Sequence, residues 1–231
     1  MRKLNATDIK KIAIIAMTID HLTWAFFPGL QTVWYVMLLH IIGRLTAPIM
    51  WFFIAEGCYY TKDWKRYFAR MLIFAMISHF AYCFYEGYPY HVLYTSVMWP
   101  LALSIPLIKL IETEIIPFWC KLLLIIILLL SSIPSDWGVL ALVMPAVLYF
   151  CRHSFKKQAV AIAISGIVAA IMTDTLLPYR ILQLYVCLSI PLLTNYNKQR
   201  GEGNRWLFYL YYPLHLVILG IVHRVLIVFF K

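Results

Sequence analysis

Charge is scarce in this sequence: only 13% of its 231 residues are charged, and acidic residues number 10. Cysteines are also few, and none of the five belongs to a CxxC pair. Neither a disulfide framework nor a metal site is therefore predicted. A soluble protein of this composition is excluded as well, because it would have to expose a mostly apolar surface.

Hydrophobic residues make up 63% of the chain, and its mean hydropathy is +0.80. Lipid is the solvent that suits such a composition, and a helix needs about 20 residues to span the lipid core. Nine such helices with short loops nearly use up the sequence. We therefore predict one transmembrane domain over residues 1–231, without a separate soluble domain.

Apolar runs bounded by charges or by Pro and Gly predict the helices of an all-α polytopic membrane protein. The nine runs cover residues 9–27, 35–58, 68–85, 92–110, 116–132, 138–151, 159–175, 180–194 and 207–229.

The distribution of positive charge predicts how these nine helices are oriented. A net charge of +10 would suggest nucleic acid binding in a soluble protein, but Lys and Arg of membrane proteins accumulate in cytoplasmic loops. With a cytoplasmic N-terminus, most of the 20 Lys and Arg residues fall on one side. We therefore predict a multi-pass membrane protein, with its C-terminus outside and no nucleic acid partner.

Ionisable side chains in the middle of these helices are candidate functional residues, because charge is costly within lipid. Counted from the cytoplasmic end of each helix at about 1.5 Å per residue, their depths are roughly 18 Å for His21, 21 Å for Arg44, 16 Å for His79 and 12 Å for His215. Two more side chains, Asp20 and His40, share this zone. The shared depth predicts a site between the first, second, third and ninth helices.

Structural interpretations of these residues stay open beside the functional one. Arg44 can pair with Asp20 to hold two helices together. A lone histidine such as His40 or His79 more often forms an interhelical hydrogen bond. Since Asp20 and His21 are adjacent, they point about 100° apart on a helix and do not form one simple catalytic dyad.

Two features lie closer to the cytoplasmic side. Glu56 is three turns below Arg44 on the second predicted helix. The loop that precedes the ninth helix is basic and contains glycine, which suits contacts to phosphate groups at a helix start; its candidate residues are Asn197, Lys198, Arg200, Gly201 and Arg205. Most basic loops of this kind only follow the rule that positive charge stays inside. A second basic loop, 62–67, can bind the headgroups of anionic membrane lipids.

A polar centre within the bilayer and a basic cytoplasmic entrance admit two classes of function. In an acyltransferase, an acyl thioester would bind through its phosphates and a neutral imidazole would deprotonate the acceptor. In a transporter or proton-coupled carrier, the same His, Asp and Arg side chains would relay protons or bind an anion. Composition and spacing leave these two classes open.

Several segments, in the same order over nearly the whole chain, resemble the TraX family of pilin acetyltransferases. The matching stretches are Lys11 to Met17 with Ile19-Asp20-His21, Ile42 to Pro48 with Ala55-Glu56-Gly57, Tyr67 to Phe80, Ser135 to Gly138, Tyr196-Asn197, Arg200-Gly201 and Trp206 to His215. The loop departs from the family's Asn-Gly-Lys-Arg-Gly and reads Lys198-Gln199-Arg200-Gly201 after Asn197, so the resemblance supports a CoA-binding role for Arg200 more than for Lys198.

The resemblance implies a membrane-embedded acyltransferase of the bacterial cytoplasmic (inner) membrane that takes an acetyl group from cytoplasmic acetyl-CoA, with no metal. The acceptor stays open between a pilin N-terminus, a cell-surface glycan and a lipid-linked molecule, and so does a homodimer. We expect His21 or His215 to act as base or transient acyl carrier, with His79 in the same catalytic group. Arg44 is expected to be an electrostatic stabiliser, and Asp20 to be the partner of a histidine or of Arg44. Glu56 is expected to lie on the donor path.

Overall fold

The computed structural model describes residues 3–203 and 205–229, and these residues fold almost entirely into helices. Two isolated bridges, between Leu4 and Tyr196 and between Thr95 and Ser135, are the only β-type pairs among them. The prediction of an all-α protein is confirmed for this part of the chain. The helices are α1 (Ala6–Phe26), α2 (Trp34–Gly43), α3 (Thr46–Tyr60), α4 (Trp64–Glu86), α5 (Met98–Glu112), α6 (Phe118–Ser132), α7 (Gly138–Phe150), α8 (Phe155–Met172), α9 (Leu177–Leu182), α10 (Ser189–Thr194) and α11 (Arg205–Phe229), with a 3₁₀ helix at Gln183–Leu188.

Every predicted run contains a helix, but the second run, 35–58, is not one regular helix. It breaks between Gly43 and Thr46 into α2 and α3. Beyond the break, the Thr46 hydroxyl donates to the carbonyl oxygen of Ala13 on α1, at 3.2 Å. Long apolar stretches lie on both sides of the residues Gly43-Arg44-Leu45-Thr46, and the run was therefore predicted as one helix.

The fourth run was predicted to begin at residue 92, whereas α5 begins at Met98. The backbone of Thr95 pairs instead with the segment between α6 and α7. Its N–H donates to Pro134 O at 2.9 Å, and its carbonyl accepts from Asp136 N–H at 3.0 Å. This pairing replaces the bonds that a helix would need, so the prediction for 92–97 was wrong.

The eighth run, 180–194, is a helix in three pieces, with the 3₁₀ segment in its middle. Close packing against α8 accompanies the change. A Cβ on Gly166 would lie 3.1 Å from the carbonyl oxygen of Gln183 and 2.9 Å from Val186. Small residues allow such close approach between helices within lipid.

Five helical segments of the described chain are long and apolar enough to cross a membrane: Trp34–Tyr60, Trp64–Glu86, Phe155–Met172, Leu177–Thr194 and Trp206–Val225. Two apolar helices, Phe118–Ser132 and Gly138–Phe150, are shorter. The chain therefore has the helices of a membrane protein. The number of nine crossings, their orientation and the single domain over residues 1–231 stay predictions, and the C-terminal residues 230 and 231 lie outside the described part.

The helices form two compact units. The terminal unit consists of Met1–Met50 and Ser154–Lys231, and the central unit of Trp51–His153. In the terminal unit, α1 packs against α2 and α11, and α8 packs against the 3₁₀ segment. In the central unit, α5 packs against α4, α6 and α7.

Candidate active site

Asp20 is the centre of a buried polar cluster that joins α1 to α2. Its Oδ1 lies 2.8 Å from Nδ1 of His40, and its Oδ2 accepts a hydrogen bond from Nη2 of Arg44 at 3.0 Å. His40 and Arg44 are four residues apart, and so they lie on the same face of the chain. The cluster is nearly closed to the surroundings, because 14% of the Asp20 side chain and 12% of the Arg44 side chain are exposed.

Gly43 makes this close approach of α1 and α2 possible. A Cβ at this position would overlap the side chain of Asp20. The cluster also reaches the 3₁₀ segment, where Gln183 Oε1 accepts from Nη1 of Arg44 at 3.3 Å. Asp20, Arg44 and Gln183 thus connect three segments of the terminal unit.

His40 is fully buried and has a defined proton position. Since a carboxylate oxygen only accepts, Nδ1 of His40 carries the proton that it shares with Asp20. Nε2 is buried and has no hydrogen-bond partner among the described residues. The ring contacts Trp24, at 4.4 Å between centroids, and Tyr179, at 5.9 Å, and these two rings also contact each other at 5.8 Å. The mid-membrane depth of His40 signalled this residue, but sequence did not show its pairing with Asp20.

His21, the neighbour of Asp20, faces α11 instead. Its Nδ1 lies 3.1 Å from Nε2 of His215, and the two ring centroids are 5.0 Å apart. His215 is buried, and its Nδ1 lies 2.9 Å from the carbonyl oxygen of Tyr211. The Tyr211 ring also stacks on His215, with 5.3 Å between centroids and 12° between planes. His215 is therefore held on two sides.

The carbonyl contact fixes the protons of the histidine pair. A carbonyl oxygen only accepts, so Nδ1 of neutral His215 carries its proton and Nε2 carries a lone pair. That lone pair then accepts the Nδ1 proton of His21. In the neutral pair, the second basic lone pair belongs to Nε2 of His21. This asymmetry distinguishes the two histidines, which sequence left equivalent.

A second contact joins α1 and α11 one turn below the histidines. The Tyr211 hydroxyl and the Thr18 hydroxyl are 2.6 Å apart. Thr18 also donates to the carbonyl oxygen of Ile14 at 2.8 Å, which leaves the proton of Tyr211 to bond with Thr18. These residues were not predicted from sequence, although Tyr211 lies four residues before His215 and so on the same helix face.

His79 and Glu56, which were predicted for the same site, belong to the central unit and have partners there. Nε2 of His79 lies 3.1 Å from the carbonyl oxygen of Tyr90. Glu56 Oε1 accepts from Nε of Arg152 at 2.9 Å, and the Arg152 guanidinium lies 3.3 Å from the centroid of the Tyr59 ring. The common site of all predicted residues therefore stays a prediction. The structure brings Asp20 together with Arg44, and His21 together with His215.

The basic loop before α11 is attached to the start of α1. The carbonyl oxygens of Gln199 and Arg200 accept from the N–H groups of Ala6 and Thr7, at 2.9 Å and 3.1 Å. At Gly201 the backbone has φ of +73° and passes so close to Asn5 that a Cβ would overlap the asparagine side chain. These contacts fix the position of the loop at one end of α1.

Two backbone N–H groups of the loop are already bonded within the protein. The N–H of Asn197 donates to Leu4 O at 2.8 Å, and that of Gln199 donates to Asn197 Oδ1 at 2.8 Å. Two of the predicted cations of the loop, Lys198 and Arg200, are exposed. The side chain of Arg205, the remaining predicted cation, lies outside the described part. Between residues 3 and 225, no group of three His, Cys, Asp or Glu side chains is arranged to hold a metal ion.

Comparison with known proteins gives two matches. The family model described as TraX protein matches residues 5–223. A probable fimbrial assembly protein, FimC of serogroup H1 from Dichelobacter nodosus, is 28% identical over 232 aligned positions, which cover 93% of this chain and 94% of that protein. No solved structure matches the chain.

Proposed function

This chain belongs to the TraX family, and we propose that it is a membrane-embedded acyltransferase that moves an acetyl group from acetyl-CoA to an amine or hydroxyl acceptor. The observation that supports this most is the hydrogen-bonded pair of His21 and His215. General bases for acyl transfer are most often histidines with a lone pair at a fixed position, and this pair supplies one.

We assign the role of base to His21 and that of positioning residue to His215. The Tyr211 carbonyl fixes the proton of His215, and Nε2 of His215 in turn holds the Nδ1 proton of His21. We assign the proton of the acceptor to the lone pair on Nε2 of His21. The arrangement follows the general pattern in which a base is oriented by a third group.

The proposed step is direct transfer. The acceptor amine or hydroxyl gives a proton to Nε2 of His21 as its nitrogen or oxygen attacks the thioester carbonyl carbon. The tetrahedral intermediate collapses, the carbon–sulfur bond breaks, and the CoA thiolate takes the proton from the imidazolium of His21. The products are an acetyl amide or ester and CoA, and His21 returns to its neutral form.

Asp20 and Arg44 are positioning residues in this proposal. Asp20 is adjacent to His21 on α1, and its carboxylate is held by His40 of α2 and by Arg44, which directly follows α2. Its charge is balanced by Arg44, so the cluster fixes the rotation of α1 without leaving an unpaired charge in lipid. The rotation of α1 sets the direction in which His21 points.

Acetyl-CoA is proposed to enter at the cytoplasmic end of the terminal unit. Its phosphates would contact the side chains of Lys198 and Arg200, the exposed cations of the loop. Lys10 adds a third cation to this end of α1: its Nζ lies 5.5 Å from the ring of Phe208 on α11, and its charge interacts with that of Arg200.

For the acceptor, the name of the Dichelobacter relative favours a pilus component. Its printed name links it to fimbrial assembly, and the free amine of a pilin N-terminus is an acceptor of the required class. A cell-surface glycan or a lipid-linked molecule offers a hydroxyl instead. The assay below therefore supplies both kinds of acceptor.

The test is acetyl transfer from radiolabelled acetyl-CoA by purified protein in lipid nanodiscs, with a pilin-like peptide amine and a glycan hydroxyl as acceptors. His21→Ala should lower the rate by about 10²–10⁴-fold, the usual contribution of a general base. His215→Ala should lower the rate less, because the imidazole of His21 is still present as the base but is no longer held in its orientation. His223→Ala is the matched control, since His223 also lies on α11 and contacts a carbonyl oxygen of α1, that of Ala25 at 2.9 Å.

Two results would contradict the proposal. One is transfer that is unaffected by His21→Ala. The other is no transfer and no CoA binding by the wild-type protein, together with substrate flux into proteoliposomes in the absence of CoA, which would favour a transporter. Radiolabel that stays on the protein when acceptor is omitted would replace direct transfer by an acyl-histidine intermediate.

A further inference from the structure

The turn before α4 and the first turns of this helix carry a group of cations that the proposed acetyl transfer does not use. Residues 62–70 contain four cations and one carboxylate, that of Asp63. Asp63 caps α4, and its Oδ2 lies 3.4 Å from Nε of Arg66. The segment therefore keeps an excess of positive charge. We call its cations the α4 basic patch: Lys62, Lys65, Arg66 and Arg70.

Arg70 differs from the cations elsewhere in the central unit, which have oxygen acceptors within the protein. Lys109 and Arg152 pair with carboxylates at 2.7 Å and 2.9 Å, and Lys121 donates to a backbone carbonyl oxygen at 2.6 Å. In the part of the chain that the structure describes, no carboxylate pairs with Arg70, and its Nε is buried without a hydrogen-bond partner. An oxygen acceptor for this guanidinium therefore comes from outside the described chain.

The side chain of Arg70 is held at the surface of α4. It is partly buried, and its Cζ lies 6.0 Å from the centroid of the Tyr67 ring. Tyr67 is itself buried against α3, where a Cβ on Gly57 would lie 2.6 Å from the tyrosine hydroxyl oxygen. Because Nε is covered by protein, a ligand would contact the terminal nitrogens of Arg70. Their planar arrangement matches the oxygens of a phosphate group.

Beyond the cations, the same line of α4 becomes apolar. Residues at spacings of four, three and four lie along one side of a helix, and here they are Arg66, Arg70, Ile73 and Ile77. The side chains of Ile73, Ile77 and the nearby Phe80 are 49%, 47% and 58% exposed. At about 1.5 Å per residue, Phe80 lies roughly 15 Å along the helix from Arg70, which is half of a lipid core about 30 Å thick.

The neighbour of this face is a membrane lipid, because α4 is long and apolar enough to cross a membrane. The cations then lie at the level of the headgroups, and the exposed apolar side chains lie beside acyl chains. A zwitterionic headgroup brings its own cation, which the patch repels. A free phosphate or a nucleotide uses the cations but leaves the apolar line without a partner. An anionic phospholipid matches both parts of the face.

We propose that the outer face of α4 binds an anionic phospholipid, with its phosphate between Arg66 and Arg70 and one acyl chain along Ile73, Ile77 and Phe80. Two lysines from the turn before α4 and from its first turn add attraction for the headgroup. This inference does not rest on the proposed acetyl transfer, and it assigns a lipid-binding surface to the central unit.

The test is native mass spectrometry of delipidated full-length protein, released from detergent after titration with phosphatidylglycerol or phosphatidylcholine that carries identical acyl chains. Phosphatidylglycerol should bind the first site at least about fivefold more tightly, since each basic residue near an anionic lipid surface contributes about that factor. No acetyl-CoA is present, so the outcome is separate from that of the transfer assay.

Variants separate the proposed site from the overall positive charge. Arg70→Gln should weaken binding of phosphatidylglycerol about fivefold, and Arg66→Gln combined with Arg70→Gln should make the two lipids bind equally. Arg70→Lys keeps the charge but not the planar fork, and should fall between wild type and Arg70→Gln. The matched control is Lys156→Gln combined with Lys157→Gln, which removes two exposed cations at the start of another candidate membrane span, α8, and should bind like wild type.

A photoreactive lipid gives the position of the acyl chain. Phosphatidylglycerol that carries a diazirine within one acyl chain should label residues 66–80 after illumination, as identified by mass spectrometry of peptides. The combined substitution of Arg66 and Arg70 by glutamine should lower this labelling, because the headgroup no longer places the chain on α4.

Equal affinity of wild type for the two lipids, or the same loss of affinity in the α8 control, would overturn the proposal. Labelling at equal yield on other lipid-facing helices would overturn the assignment to α4. Displacement of phosphatidylglycerol by CoA or by inorganic phosphate would reassign the patch to a soluble phosphate compound. A dimer in the same spectra that persists without lipid and is lost in the double arginine variant would reassign the patch to contact with a second copy of the chain.

Discussion

Replacing Asp20 by asparagine tests whether the cluster between α1 and α2 holds the terminal unit together. The substitution keeps the size and shape of the side chain and removes its charge. Asp20 accepts from His40 at 2.8 Å and from Arg44 at 3.0 Å. In the variant, the Arg44 guanidinium keeps its buried position but loses the negative charge beside it.

The expected cost follows from the geometry. Removing one partner of a buried ion pair destabilises a protein by about 3–5 kcal/mol. The amide oxygen of the introduced asparagine would still accept one hydrogen bond, and a bond to a charged group is worth about 1.5–3 kcal/mol. Since 14% of the Asp20 side chain is exposed, solvent compensates little of the loss. We expect the free energy of unfolding to fall by about 2–4 kcal/mol.

The measurement is reversible unfolding in mixed detergent and SDS micelles, followed by circular dichroism. A double-mutant cycle with Arg44→Gln should give a coupling energy of at least about 1 kcal/mol, because the residues are in contact. Asp174→Asn is the control: this aspartate is exposed at the end of α8 and should cost less than about 0.5 kcal/mol. Equal costs for the two aspartates, or additive effects of Asp20→Asn and Arg44→Gln, would refute the role of the cluster.

Three further substitutions test packing, donor binding and charge. Gly43→Ala places a methyl group against the carboxylate of α1 and should lower the free energy of unfolding by about 1–3 kcal/mol, as measured in the same micelles. Gly201→Ala forces the loop away from Asn5 and should raise KM for acetyl-CoA more than it lowers kcat. A larger effect on kcat than on KM would mean that the loop takes part in the chemical step. Glu112, at the end of α5, has a lowered pKa although burial alone would raise it, because hydrogen bonds from Lys109 and a tyrosine favour its carboxylate. The stabilising effect of Glu112 should therefore be present above its unfolded-state pKa and be lost as the pH falls through its lower folded-state pKa. Glu112→Gln should remove this loss of stability from the acid unfolding profile.

The positions of the helices were largely predictable because hydropathy and helix-breaking residues act locally. All nine apolar runs contain helix, and most ends agree within a few residues. The errors have a common physical origin. At Thr95 the backbone pairs with residues near position 135, and Thr46 bonds to α1. A local pattern contains no information on partners that are distant in the sequence.

For the candidate site, sequence provided the depth of each polar side chain but not its direction across the bundle. Depth depends only on position along one helix, and this was enough to select Asp20, His21, Arg44 and His215. Which of them meet depends on how each helix is rotated and which helix lies beside it. The pairing of Asp20 with His40 required Gly43 at the crossing, and no residue type signals such a crossing by itself.

Asp20 and His21 are adjacent on α1, and we assign a structural role to Asp20 and a catalytic role to His21. Substitutions can test whether these two roles are distinct. His21→Gln retains an amide N–H that can reach His215, so the free energy of unfolding should change by no more than about 1 kcal/mol, while acetyl transfer should be lost. Asp20→Asn should lower stability and transfer together, because α1 loses its connection to α2 and His21 its direction. If His21→Gln destabilised the protein as much as Asp20→Asn, the histidine pair would be a structural contact between α1 and α11, and the base would have to be sought at His40, whose Nε2 is buried without a partner among the described residues.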